Sequence, residues 1–83
     1  MLRIKVLGPG CENCKKVAEM ARQAVAGMGL EAQVIKVTDH AEIMQYKVFA
    51  TPGLVINEKL VSAGRIPTEA EVTTWIVDVL ETA

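Results

Sequence analysis

The stretch Gly8-Pro9-Gly10-Cys11-Glu12-Asn13-Cys14-Lys15 contains the only two cysteines of an 83-residue chain, spaced Cys-x-x-Cys. They stand at a change of periodicity. Ahead of them Leu2, Ile4 and Val6 alternate with Arg3 and Lys5, the period of two that marks a strand with one buried face. Behind them Cys14, Val17, Ala18, Ala21, Ala24, Val25 and Met28 recur at steps of three and four, the stripe of an amphipathic helix. The pair therefore lies where a strand turns, through Gly8-Pro9-Gly10, into the first turn of a helix. Residues three apart on a helix share a face, with Cβ atoms about 5–6 Å apart. A disulfide needs Cα atoms roughly 4.4–6.8 Å apart, so a modest adjustment of that turn lets the two sulfurs bond. The helix start also presents unpaired N–H groups and the positive end of the dipole, which favour a thiolate. Cys14 belongs to the apolar stripe, whereas Cys11 lies at the end of the helix.

Working outward, Gly27 and Gly29 stop the first helix, either being able to take the left-handed terminal conformation. Ala32 to Val37 reads as a second strand, parallel to the first through a right-handed crossover. Asp39 and Glu42 resemble a capping box that starts a short helix through about Lys47, with Ala41, Ile43, Met44 and Tyr46 as its apolar residues. Thr51-Pro52-Gly53 breaks the chain before a third strand, Leu54-Val55-Ile56. Asn57-Glu58 reads as a hairpin turn, although its second position lacks the usual Gly, and Lys59 to Ala63 returns as a fourth strand. Thr68 and Glu71 form a second capping-box pattern, followed by Val72, Trp75, Ile76, Val79 and Leu80 as the stripe of a terminal helix. The order is βαβαββα, in one domain over 1–83.

Composition narrows the function classes. At 51% apolar the chain has ample material for a packed core and is not disordered. Nine Lys and Arg face ten Asp and Glu with no run of one sign, so neither nucleic acid nor anionic membrane is expected as a partner. Tyr46, Phe49 and Trp75 are too few for a base-stacking platform. No apolar run approaches a membrane span, and Met1 leads almost directly into a strand, so no signal peptide is expected. The default compartment is the cytosol. A structural disulfide is uncommon there, and Cys-x-x-Cys more often means redox chemistry or metal.

Three readings of the pair stand side by side. In the first, Cys11 attacks a disulfide and Cys14 resolves the mixed disulfide. In the second, two soft thiolates hold zinc or copper(I). In the third, both are small core residues. A closed zinc site wants four ligands, and the only other soft candidate, His40, is far off in sequence. Copper-chaperone domains also carry Cys-x-x-Cys after their first strand. They typically place Met two residues before the first Cys, where this chain has Pro9, and they end in a strand.

Thr51-Pro52 adds weight to the redox reading, since a proline just before a strand is a place where cis bonds occur in tight turns. With Gly8-Pro9-Gly10-Cys11-x-x-Cys14-Lys15, Ala50-Thr51-Pro52-Gly53-Leu54-Val55-Ile56-Asn57 and the βαβαββα order, the chain resembles the thioredoxin fold over almost its whole length. More narrowly it resembles the small thioredoxin- and glutaredoxin-like redox proteins of archaea and bacteria. That resemblance implies a thiol–disulfide oxidoreductase without a bound cofactor or metal. It implies nucleophile for Cys11 and resolving thiol for Cys14. It also implies a cis Pro52 facing the pair, with Thr51 offering backbone groups to an extended substrate segment. The implied partners are a disulfide-containing protein or a small-molecule thiol, plus a reductase, acting on a monomer. The expected fold is an α/β minimal thioredoxin fold. Its four-stranded mixed sheet has order 2-1-3-4, with helices one and three on one face and the short helix on the other. The chain departs from the family between the cysteines, where Glu12-Asn13 is neither the Gly-Pro of thioredoxins nor the Pro-Tyr of glutaredoxins. No Trp precedes Cys11. Lys5 is read as solvated rather than catalytic.

Overall fold

A computed structural model describes residues 2–8, 12–48 and 50–82. Strand β1 (Leu2–Leu7) leads to helix α1 (Glu12–Met28), strand β2 (Ala32–Val37) and helix α2 (His40–Gln45). Strands β3 (Gly53–Ile56) and β4 (Lys59–Ala63) follow, then helix α3 (Glu69–Thr82). The four strands form one sheet in the order β2-β1-β3-β4. β1 pairs parallel with β2, antiparallel with β3, and β3 pairs antiparallel with β4. The chain thus has the expected α/β architecture.

Side-chain alternation sorts the layers. Leu2, Ile4 and Val6 point to the face that packs against the stripe of α1 and against Val72, Ile76 and Val79 of α3. Leu7 and Val55 point to the other face, where they meet Val37, Ile43 and Val48 under α2. β3 lies inside the sheet and is buried on both faces along its whole length, which suits its unbroken apolar run. α1 and α3 share one face and α2 covers part of the other.

The ends of the elements follow the local chemistry. α1 closes in a Schellman motif: Gly29 takes φ +66°, Leu30 N–H donates to the Val25 carbonyl and Gly29 N–H to that of Ala26. The Thr68–Glu71 box is reciprocal, with Glu71 N–H donating to Thr68 Oγ1 and Thr68 N–H to Glu71 Oε1, each at 3.2 Å. Asp39 Oδ1 accepts from Ala41 N–H at the start of α2. That helix ends at Gln45, short of the expected Lys47, because Lys47 takes a left-handed φ of 56°. Asn57 and Glu58 both have positive φ, the type I′ signature, without a glycine. Asn57 is held there by a two-way clamp on β1: its N–H donates to the Arg3 carbonyl and its Oδ1 accepts from Arg3 N–H.

Three sequence-based assignments shift. Leu80, read as part of the buried stripe of α3, is 45% exposed in the helix's last turns. Trp75 is only partly buried, with the Arg65 guanidinium 5.7 Å from its ring centroid. Lys5, read as solvated, is half-buried in a network with Tyr46 and Glu58.

Candidate functional site

The pairing registers bring several loops to one end of the sheet. Leu7 lies opposite both Val37 and Gly53, and Gly53 lies opposite Ala63. The residues just beyond these positions, Gly8, Thr38, Pro52 and Gly64, therefore gather at the carboxyl end of the parallel pair. That is the usual place for a site in an α/β sheet. α1 begins there too, and the first-turn thiol of Cys14 comes with it.

Cys14 is 6% exposed and packs in the α1–α3 core. It reaches the sheet through Gly8. A Cβ placed on Gly8 would overlap Cys14 Sγ, and it would lie 3.6 Å from Cys14 Cβ and 3.8 Å from Thr51 Cβ. Gly8 is thus the spacer between Cys14 and Thr51, and its missing side chain is the room the sulfur occupies. Its N–H donates to the Val37 carbonyl at 3.0 Å, which fixes the end of β1 to β2. Cys11, together with Pro9 and Gly10, lies outside the described residues, so its expected position is not part of this geometry.

The Thr51–Pro52 peptide bond is cis. Pro52 is buried and Thr51 exposed. The carbonyl of Pro52 accepts from Gly64 N–H at 2.9 Å, so Pro52 is tied to the end of β4. Gly64 has φ +77°, and a Cβ there would come within 3.0 Å of Ala50 Cβ. Among the described residues no hydrogen bond reaches the backbone of Thr51.

Two concavities flank this point. A small one of about 50 Å³ opens beside Cys14, with Val6, Gly8, Lys15, Lys36 and Thr38 around it. A larger groove of about 380 Å³ runs past Thr51 between Thr38, His40, Met44 and Val48. Thr38 lines both. No motif in the sequence marks Lys36 or Thr38 as site residues. Lys36 enters because the parallel register sets it opposite Val6, on the α1 side of the sheet. His40 lines the groove beside Thr51, not the concavity at Cys14. Among the described residues no group of three or more His, Cys, Asp or Glu converges as a metal site.

Two clusters of ionisable groups with displaced pKa values lie away from this end. Lys5 Nζ, on the α2 face of the sheet, donates to Glu58 Oε1 at 2.7 Å and to Tyr46 Oη at 2.8 Å. These bonds raise the lysine's pKa and lower that of Glu58. Arg65 grips Glu71 with two bonds of 3.0 and 2.6 Å. With Thr68 N–H as a further donor, this lowers the Glu71 carboxyl to about 2. Both clusters hold elements in place, and neither touches Cys14. Arg65 is committed to Glu71.

Residues 2–77, which include both cysteines and Thr51-Pro52, match the family model of the thioredoxin domain. A thioredoxin of Methanocaldococcus jannaschii is 36% identical over 81 residues, which span 98% of this chain and 93% of that protein. A thioredoxin of Methanothermobacter thermautotrophicus is 32% identical over 72 residues, 87% of this chain and 94% of the other. A four-stranded sheet in this order, a cysteine in the first turn of α1 and a family match over nearly the whole length agree: the chain belongs to the thioredoxin domain family.

Proposed function

We propose that the protein is a thiol–disulfide oxidoreductase in which Cys11 attacks and Cys14 resolves. The observation that carries this reading is the burial of Cys14 against Gly8, with Thr51 alongside. A cysteine residue only 6% exposed is closed to the disulfide of a folded partner, so the first attack falls to the other cysteine of the pair. The Cys-x-x-Cys spacing keeps Cys14 within reach of Cys11 once that sulfur is occupied. Family membership and the two thioredoxins among its relatives support the same chemistry.

The proposed steps balance as follows. The Cys11 thiolate attacks one sulfur of a substrate disulfide, forms a mixed disulfide and expels the other substrate sulfur as a thiolate. The Cys14 sulfur, its proton lost to solvent, then attacks Cys11 Sγ. It closes the Cys11–Cys14 disulfide and releases the second substrate thiolate. Both substrate thiolates take protons from water. Two electrons pass from the dithiol to the substrate, and a dithiol reductase restores the reduced pair. The substrate backbone pairs with Thr51, whose main chain is available beside the buried Pro52. The proposed partners are a disulfide-containing protein or a small-molecule disulfide, and that reductase.

Cys14→Ser tests the assignment. With the resolving sulfur gone, incubation with a substrate disulfide is expected to accumulate a mixed disulfide at Cys11, visible by mass and released by dithiothreitol. Cys11→Ser is expected to accumulate none. Equal trapping by both variants, or trapping only by Cys11→Ser, would reverse the roles. Loss of bound zinc or copper(I) from both variants, with no trapping by either, would replace the reading with metal carriage.

A further inference from the structure

The concavity beside Cys14 carries a charge pattern that the disulfide chemistry itself does not require. Lys15 follows Cys14 on α1, and Lys36 reaches the same opening from β2. They stand on the consecutive elements α1 and β2, the fold brings them to one opening, and both are exposed. Among the described residues neither ammonium group is paired with a carboxylate, whereas Lys5, Arg22 and Arg65 each are. The nearby acids are turned elsewhere. Asp39 accepts from its own helix at Ala41 N–H, and Glu42 lines a separate groove on the Lys5–Tyr46 side. Glu12, exposed at the first position of α1, lines neither concavity. Thr38 also lines the groove past Thr51, which is lined as well by Met44, 53% exposed and adaptable in shape.

We propose that Lys15 and Lys36 select substrates by charge, receiving a carboxylate from a residue that flanks the substrate half-cystine. The preferred substrates are then disulfides set in acidic segments. This rests on the oxidoreductase reading and adds the substrate class to it. A segment lying over Thr51 with its cystine toward Cys14 carries its neighbouring side chain across Thr38, between the two ammonium groups. The whole protein has a formal charge of −1 and does not attract acidic segments by its overall field, so the preference is local. Such exposed pairs act mainly on encounter and are screened by salt.

The test uses three peptide disulfides, identical but for Glu, Gln or Lys on both sides of the cystine. The second-order rate of their reduction by the fully reduced protein is followed by stopped-flow. The expected order is Glu over Gln over Lys, with roughly a fivefold to tenfold spread between the extremes at low ionic strength that collapses in high salt. Lys15→Glu/Lys36→Glu is expected to reverse the order. Lys59→Glu, which alters one charge on β4 outside both concavities, is expected to keep it. Equal rates for all three peptides would overturn the selectivity and leave disulfide exchange standing. An equal reversal by Lys59→Glu would overturn it in favour of net charge. Failure to reduce any of the three would overturn the oxidoreductase reading, and the selectivity with it.

Discussion

Gly8 shows how a single missing side chain serves a residue six positions further on. The sequence marks it as part of a Gly-Pro-Gly turn, and that much follows from residue type alone. Its steric role does not, because the atom that fills its Cβ position is the sulfur of Cys14, brought there by the return of α1 onto the sheet. Gly8→Ala is expected to cost about 1–3 kcal/mol, the usual range for overpacking a filled site. The check is the denaturant midpoint of the variant, and of Gly8→Ala combined with Cys14→Ala. Shortening Cys14 removes the clashing atom, so the second change should recover part of the loss; additive effects would mean that the two residues do not compete for the same space. Glu71 carries a different residue-scale consequence. Its folded pKa is lowered from 4.5 to about 2 by Arg65 and Thr68, so its contribution to stability is fully present above 4.5 and fades as pH falls towards 2. Glu71→Gln is expected to lower the urea midpoint near neutrality and to match the parent protein at the acid end of that window. A constant difference between the two at every pH would mean that the carboxylate charge plays no part.

At the scale of elements, what the sequence disclosed depended on whether a pattern was enforced locally. β2 runs from Ala32 to Val37 as read, since its flanks, Glu31 and Thr38-Asp39, stop the strand on their own. The Thr68–Glu71 box was legible because both partners lie within one turn. The hairpin was legible in place, and its left-handed pair without glycine is explained only by the Asn57 clamp on Arg3, a tertiary contact. The extent of α2 depended on Lys47 leaving the helix, and no residue type announced that. Leu80 matched the helical period but lies where α3 has nothing left to cover it, so periodicity alone overstated the buried stripe. What α3 does bury is nonetheless decisive. Val72 and Ile76 are fully buried and Val79 nearly so, all against α1 and the sheet. At about 1.5–3 kcal/mol for each such side chain, their loss is comparable to the whole stability of a typical domain, about 5–15 kcal/mol. A protein ending at Thr68 is therefore expected to show no cooperative thermal transition by calorimetry. A sharp transition in that truncation would mean that α1 and the sheet hold together without their cover.

Across the whole molecule the two layers are unequal, and the difference falls on the side that carries the groove past Thr51. The α1–α3 layer is a continuous core in which α1 alone buries Cys14, Val17, Ala18, Ala21, Ala24 and Val25. The opposite layer rests on one helix of six residues, and that helix buries a single side chain, Ile43. Sheet topology could be read from the sequence because the order of elements and the crossover rule constrain it strongly. This asymmetry could not, because Met44 and Tyr46 looked as apolar as Ile43 and only packing shows that Met44 faces solvent. A short helix with one buried anchor opens at a lower free energy than the sheet beneath it, since unfolding it exposes little apolar surface. Native-state hydrogen exchange is expected to show this: the amides of α2 should exchange through openings that barely respond to low denaturant. The amides of β1, β3 and α3 should instead exchange through the global transition. Ile43→Ala should accelerate the first group by about tenfold or more, because a large-to-small change at a buried site costs about 2–5 kcal/mol and here acts on a local opening. The amides of β3 should respond far less. If α2 amides track the global free energy in the parent protein, the layer is as firmly held as the core. Met44 would then be a fixed wall of the groove rather than an adaptable one.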